Sequence, residues 1–407
     1  MKTHSQLLGL TIKNFRSFYT EQHIDFSDTG KGRTVTAFYG PNASGKSNIA
    51  LALRFVQDFV RNSNSANMTQ IPSQPFLLKT SSKDEPMTLE VEYTQDSRHF
   101  VYGFSLLPSV VKHEYLLEYA SKTKKARTIF DRTQKGLNTS AERYGFGKRL
   151  YETTRPTSLL MTKARENNNE YANLLFEWFD SLNILLGKEN ETMSWSLSRM
   201  QEDPSLYQPA MELLKGADLW LEGFDIETVG IPLETVNQMP LPDEVKQQFA
   251  LGKATTMRVN TVHAVRDKNQ KIVGRTNLDL GGHESSGTQK FFELAAPIID
   301  TLREGKILYL DEFGTYLHPD ICQFIVALFN SSRNKYNAQV ILNTHDTSLL
   351  AKGAQLKRKN VFFVEKDHTE ESIVISLADR SDRSEELFEK RYREGHYGAR
   401  PFIEARD

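Results

Sequence analysis

Residues 40–48 read Gly40-Pro41-Asn42-Ala43-Ser44-Gly45-Lys46-Ser47-Asn48. The first eight match G-x-x-x-x-G-K-[ST], a loop whose main chain wraps phosphate groups. Glycines let the backbone curl and aim N–H groups at phosphate oxygens. A helix that starts behind the loop adds its positive dipole end. Lys46 would then reach the β- and γ-phosphates, and Ser47 would hold Mg²⁺. A glycine-rich turn can produce the pattern by chance, so the test is a strand before the loop and a helix after it.

Three further stretches could complete such chemistry. In Ile307-Leu-Tyr-Leu310-Asp311-Glu312 an apolar run ends in two carboxylates. Asp311, at the C-terminal edge of a strand, suits a Mg²⁺ ligand. Glu312 could orient and deprotonate an attacking water. Alone this pattern is common; paired with the loop it gains meaning. In Val340-Ile-Leu-Asn-Thr344-His345-Asp346 a histidine ends another strand, predicted to neighbour the Asp311 strand, within reach of a γ-phosphate. A strand-end histidine is ordinarily just a satisfied residue. Glu284-Ser285-Ser286-Gly287-Thr288-Gln289 opens a helix, and its plain reading is a serine N-cap.

These residues need elements to hold them. Leu10-Thr-Ile12-Lys-Asn-Phe15 and the run with Ile24 and Phe26 predict strands, and Val35–Tyr39 predicts a buried one ending at Gly40. Ile49, Leu53, Val56 and Val60 fall on one face of a helix from Ser47. Residues 62–86 read as loop, then strands return at Thr88–Tyr93 and Phe100–Phe104. Residues 155–260 read mostly as helix. A hairpin spans Arg258–Leu280, turning at 267–270. A helix over Gln289–Ala296 meets Pro297. Strand and helix then alternate: strands at Ile307–Leu310, Gln339–Leu342 and Asn360–Val364, and a helix at Pro319–Asn330 with Ile321, Phe324, Ile325 and Leu328 inward. A charged helix is predicted over Asp379–Glu394. The alternation predicts an α/β fold with a parallel sheet.

At 407 residues, the chain is long enough for two lobes or one large domain with an insertion. Charged residues make up 25% and 24 phenylalanines are present, which excludes global disorder. No apolar run approaches the ~18 residues of a membrane span, and the N-terminus is not a secretory signal. One cysteine, Cys322, excludes a disulfide framework and a four-thiolate zinc site. A cytoplasmic protein is expected. The net charge of −1 predicts no partner, but residues 120–165 hold twelve basic and three acidic side chains. That stretch, from Lys122 to Arg165, is either a solvated face of hairpins or a patch for nucleic-acid backbones.

The order of the motifs resembles that of ABC-type ATPases. Asn14-Phe15-Arg16-Ser17-Phe18 before the loop is similar to the opening strand of the RecF and SMC branch. Gly40–Asn48, Glu284–Lys290, Asp311-Glu312 with Leu317-His318-Pro319, Thr344–Leu350 and Tyr397-Gly-Ala-Arg-Pro401 resemble bacterial AAA-type ATPases of abortive-infection systems. The resemblance implies an ATPase head with a mainly helical insertion. Its parts would be an N-terminal lobe over 1–120, a basic hairpin region and insertion over 121–265, and a C-terminal lobe over 266–407. It makes Ser286 and Gly287 the signature motif, with Thr288 in place of the second glycine. It makes Leu317–Pro319 the D-loop, leaves Gln70 and Gln74 as candidates for the Q-loop, and brings Arg16 near the γ-phosphate. It also implies ATP and Mg²⁺, an ATP-dependent homodimer, and an antiphage switch acting on a separate effector such as a nuclease. A RecF-like DNA-repair clamp is the alternative. A nuclease within the chain is not expected: Glu365, Asp367, Asp379 and Asp382 have neither the spacing nor the following length of a Toprim domain.

Overall fold

The computed structural model describes residues 5–120, 125–188, 190–217, 220–238, 242, 244, 246, 249, 255–351, 356–380 and 388–394. The chain forms two compact units. The first comprises Met1–Lys188, Asp300–Thr315 and Pro319–Asp407; the second comprises Glu189–Ile299 and Tyr316–His318.

The first unit holds two sheets. Strands β1 (Gln6–Lys13), β2 (Gln22–Asp25), β6 (Met87–Gln95), β7 (Arg98–Leu107), β8 (Val110–Tyr119), β9 (Ala126–Thr133) and β10 (Gly136–Leu137) pair antiparallel in the order β10-β9-β8-β7-β6-β1-β2. The other sheet has β5 (Val35–Tyr39), β11 (Leu182–Leu185), β15 (Ile307–Phe313), β16 (Gln339–Thr344), β17 (Val361–Lys366) and β18 (Ser372–Ser376). Its order is β11-β15-β16-β5-β17-β18, parallel throughout except for the antiparallel edge strand β18. A short antiparallel ribbon pairs β3 (Ser27–Asp28) with β4 (Lys31–Gly32). The parallel strands are continuous apolar runs because helices or sheet cover both their faces; all five residues of β5 are buried.

Helix α1 (Lys46–Asn62) shares one core with both sheets. Ile49, Leu53, Val56 and Val60 are buried as their spacing predicts, and Phe55 and Phe59 extend the stripe to edge contacts with Phe15 and Phe104. Gln57 is buried too, and its amide donates to the carbonyls of Phe179 and Leu182. Buried Gln339 stitches the sheets together. Its Oε1 accepts from the Leu7 N–H at 2.7 Å and its Nε2 donates to Leu7 O and Arg33 O at 3.0 Å. The alternation in β1 is one of polarity and not of exposure, since residues 6–12 are all buried. Thr11 is satisfied there by Glu90 at 3.0 Å.

The basic stretch after β8 is largely committed inside the unit. Arg132 is buried against Glu114 at 3.0 Å, and that carboxylate, itself fully buried, also accepts from Tyr102 and from the backbone of Leu160 and Met161. Arg127 pairs with Glu118, Arg155 donates to the carbonyl of Ser65, and Lys163 pairs with Glu166. Lys135, Arg143, Lys148 and Arg149 are exposed. Lys122 and Lys124 lie outside the described residues.

Three local expectations change. The Pro319–Asn330 helix buries Cys322, Ile325, Val326, Leu328 and Phe329, while Ile321 and Phe324 are only half-buried, because the helix lies against both β5 and the turn at Thr347–Leu350. Of the charged tail, Leu377–Asp379 is a 3-10 turn and Phe388–Arg393 a helix. Residues 381–387 and the 397–401 stretch lie outside the described residues. Besides its helices, the 155–260 region contributes strand β11 and strand β12 (Gly223–Gly230). β12 opens the sheet of the second unit, β12-β13-β14, with β13 (Thr255–Arg266) and β14 (Ile272–Asp279) forming the predicted hairpin.

The helix after Ser285 does not stop at Pro297; it runs Ser286–Glu304, of which 286–299 belong to the second unit. A proline has no N–H for the carbonyl four residues back, here Glu293. The hydroxyl of buried Ser196, on the Glu191–Glu202 helix, donates to that carbonyl instead. Ser196→Ala should therefore cost about 1–3 kcal/mol through an orphaned carbonyl. The same change in a Pro297→Ala background should cost much less, because residue 297 regains its N–H. Urea denaturation of the four proteins checks this, and equal costs in both backgrounds would refute it.

Candidate functional site

The phosphate loop joins β5 to α1, the strand–loop–helix context its sequence requires. Gly40 is glycine because a Cβ there would lie 2.2 Å from Val364 O and 2.7 Å from Ser44 Oγ. Gly45 has φ 109° and serves as N-cap of α1, where a Cβ would meet Ser372 Oγ at 2.3 Å. No side chain caps α1 and no acidic residue sits in its first turn. Asn48 N–H donates back to Gly45 O at 3.0 Å, which leaves the N–H groups of Lys46 and Ser47 at the helix start for an anion. Ala43, at φ 63°, completes the curl.

From behind, the loop is held by hydroxyl and amide groups. Ser372 Oγ donates its one proton to Ser44 O at 2.6 Å and accepts from Ser17 Oγ at 2.7 Å, and Asn48 Nδ2 donates to Ser17 Oγ at 2.7 Å. Ser372 was not singled out from sequence, and Ser17 entered only as part of the Asn14–Phe18 stretch. The hydroxyl of Ser44 is buried without a hydrogen-bond partner among the described residues.

Lys46 is buried and folds back over its own loop, donating to Gly40 O at 2.7 Å and Pro41 O at 3.0 Å. Burial lowers its pKa to about 8, against the opposing pull of Asp311 and then Glu312. Ser47 is exposed at the cleft.

Asp311 and Glu312 are successive residues, and in a regular strand they would point to opposite faces. The ladder between β15 and β16 slips between Leu310 and Phe313, and Glu312 takes φ 54°. This bulge turns both carboxylates into one cleft. Asp311 is oriented by Asn343, whose Nδ2 donates to Asp311 Oδ1 at 2.8 Å, while Asn343 Oδ1 accepts from Tyr309 OH at 2.9 Å. Burial holds the proton on Tyr309 by raising its pKa, so it stays a donor. Asn343 was missed from sequence; the signal was a polar amide directly after the apolar run Val340–Leu342, two residues before His345. β15 and β16 are parallel neighbours, as predicted, and His345 follows the end of β16. Desolvation, then the Lys46 ammonium, lowers the His345 pKa, keeping the ring neutral near pH 7.

Asn42, Ala43, Ser44, Gly45, Lys46, Ser47, Asn48, Asp311, Glu312, Asn343 and His345 together line a cleft of about 360 Å³ in the first unit. Gly40 and Pro41 contribute the carbonyls that hold Lys46. Arg16 is exposed and does not line this cleft; its N–H donates to Gln74 O at 2.7 Å. Gln70 and Gln74 are exposed and do not line it either. Ser286 and Gly287 belong to the second unit and begin the helix there. Ser285 is the cap, its Oγ accepting from Thr288 N at 3.1 Å, while Ser286 is exposed. Of the carboxylates weighed for a nuclease, Glu365 pairs with Arg380 at 3.3 Å, and Asp367 accepts from Thr369 and Glu371 in the β17–β18 turn. Asp382 lies outside the described residues.

Residues 35–351 match the family model described as "AAA domain, putative AbiEii toxin, Type IV TA system". The match spans most of the chain, and the protein belongs to this family, which bears out the abortive-infection resemblance. Among solved structures, the SMC head domain from Thermotoga maritima is similar at 16% identity and TM-score 0.42, covering 91% of this chain and 98% of that one. The SMC head bound to the C-terminal winged-helix domain of ScpA is similar at 13% identity and TM-score 0.41, covering 91% and 97%. The recombination mediator RecF bound to ATPγS is similar at 12% identity and TM-score 0.39, covering 92% and 99%. No curated protein sequence matches the chain. No helix among the described residues is long and apolar enough to cross a membrane.

The depressed Lys46 pKa has a measurable consequence. A bound phosphate favours the ammonium, so above pH 8 binding must take up a proton. Nucleotide affinity should weaken as pH rises above about 8, approaching tenfold per unit. Titration calorimetry at pH 8.5 in two buffers of different ionisation enthalpy should show the uptake, and Lys46→Met should remove it. Unfolded Lys46 binds its proton up to about pH 10.5, so its contribution to stability rises with pH between about 8 and 10.5.

Proposed function

We propose that this protein is a Mg²⁺-dependent ATPase of the ABC type that works as a dimeric switch in antiphage defence and controls a separate effector, a nuclease by class. The observation that carries the reading is the single cleft that gathers Lys46, Ser47, Asp311, Glu312 and His345 beneath the uncapped start of α1. The unpartnered Ser44 hydroxyl and the self-satisfied Lys46 ammonium are groups a triphosphate would engage, so the residues fit the ligand.

Lys46 would exchange its two carbonyl partners for β- and γ-phosphate oxygens. Ser47 and Asp311 would hold Mg²⁺, which when bound neutralises charge on those oxygens. Glu312, free of the Asn343 relay that ties Asp311, would position the in-line water and accept its proton. Neutral His345 would donate a hydrogen bond to the γ-phosphate. Ser286 and Gly287 of one protomer would face the Lys46 loop of the other, with the D-loop beside them. Rate then comes from positioning and fixed dipoles. The family description, which names a toxin of a type IV system, supports the defence setting. The repair-clamp alternative rests on the basic stretch, and the ion pairs of Arg127, Arg132 and Lys163 within the chain leave it fewer cations for a phosphate backbone.

Glu312→Gln should bind ATP as the wild type does, slow hydrolysis by roughly 100-fold or more, and accumulate as an ATP-bound dimer on size exclusion. Hydrolysis at the wild-type rate would remove Glu312 from the role. Sharing of sites is tested by mixing. Lys46→Ala and Ser286→Arg should each be inactive. A mixture of the two should recover to about a quarter of wild type if sites fire independently. A Ser286→Arg protein fully active by itself would refute sharing.

A further inference from the structure

Glu284 immediately precedes Ser285-Ser286-Gly287, and its surroundings set it apart from an ordinary helix-leading carboxylate. Its side chain is largely buried, with 13% exposed. Oε1 accepts from Thr261 Oγ1 at 2.6 Å and faces His263 Nε2 at 2.7 Å. Thr261 and His263 stand two residues apart on β13 and so point to one face of the hairpin; their side chains are themselves 3.1 Å apart. Thr261 is fully buried. The Glu284 backbone is fixed as well: its N–H donates to Leu280 O at 3.3 Å, and its carbonyl accepts from Gln289 Nε2 at 2.9 Å. One residue later Ser285 caps the helix. On the far side, a Cβ at Gly287 would lie 3.0 Å from Tyr316 O, so that residue is small because the 316–318 segment packs on it.

Ser286 is therefore an exposed residue between two clamped neighbours. A hydroxyl offered to a nucleotide held by another molecule has no partner in its own chain to position it. Its direction must come from the backbone on either side. A carboxylate anchored by two side chains of the preceding hairpin supplies that, at the cost of desolvating the charge. A serine cap alone would not require it.

We propose that the Thr261–His263–Glu284 clamp is the positioning device of the Ser286–Gly287 motif, acting on the ATP site of the partner protomer and not on the cleft of its own. The proposal rests on the shared-site reading above. Glu284→Ala should lower kcat by roughly tenfold to a hundredfold while leaving ATP affinity of the monomer within about twofold. Glu284→Gln keeps an acceptor for Thr261 and for a neutral His263, so it should restore most of the rate.

The decisive measurement is complementation. Mixed with Lys46→Ala, the Glu284→Ala protein supplies a good loop against a good motif, and activity should return. Mixed with Ser286→Arg it should stay inactive, since both then carry a damaged motif. Recovery with Ser286→Arg only would place the effect in the protomer's own cleft and overturn the proposal. Recovery with neither, or an unchanged rate in Glu284→Ala alone, would overturn it too. Ser286→Arg is also assayed by itself; if it hydrolyses ATP normally, the shared-site reading itself has failed, a different result from failure of the clamp.

Discussion

An anion-binding helix start must leave main-chain N–H groups without partners, and yet the loop that carries them must not move. That constraint organises the first unit. Gly45 leaves α1 without a side-chain cap, so no side chain satisfies the donors at its start. Rigidity has to come from elsewhere: Ser372 from the edge hairpin, Ser17 from the segment after β1, and Asn48 from α1 itself grip the loop's outer side. Gln339 then fixes β1 to the parallel sheet, so the two sources of those grips keep their distance. Removing Ser17 or Ser372 would loosen the loop without touching a residue that lines the cleft.

The same economy appears on the opposite wall. A strand delivers only alternate residues to one face, yet Asp311 and Glu312 both line the cleft. The bulge between Leu310 and Phe313 and the left-handed Glu312 account for this, and Asn343 ties only Asp311. Identical chemistry at neighbouring positions is thus made unequal by one amide. Backbone strain of this kind is tolerated where the surrounding structure over-determines it.

Much of this was legible in the residues. The phosphate loop announces itself because its demands are local: glycines at fixed offsets, a lysine, a strand before and a helix after. The stripe of Ile49, Leu53, Val56 and Val60 and the buried run Val35–Tyr39 carry periodicities that tertiary packing only confirms. What could not be read is what depends on distant partners. Ser17 and Ser372 are ordinary serines until the fold brings them to the loop's outer side. The basic stretch looks like a surface by composition, yet Arg132 is drawn inside by Glu114, eighteen residues earlier. Pro297 reads as a helix end, since the hydroxyl that lets the helix continue stands at residue 196.

That last arrangement bears on how the chain comes to be folded. A helix interrupted by proline cannot complete its own ladder from local bonds. The missing one here is provided across a sequence separation of 97 residues. Closing so long a loop must precede the stabilisation it brings. The helix that begins at Ser286 therefore completes its hydrogen bonding only once the Glu191–Glu202 helix is docked against it. On a ribosome, where synthesis runs from the N-terminus, the earlier partner is already waiting when the proline segment emerges. The order of the two segments along the chain thus favours productive closure, and a circular permutation that reversed it would expose an unfinished helix first.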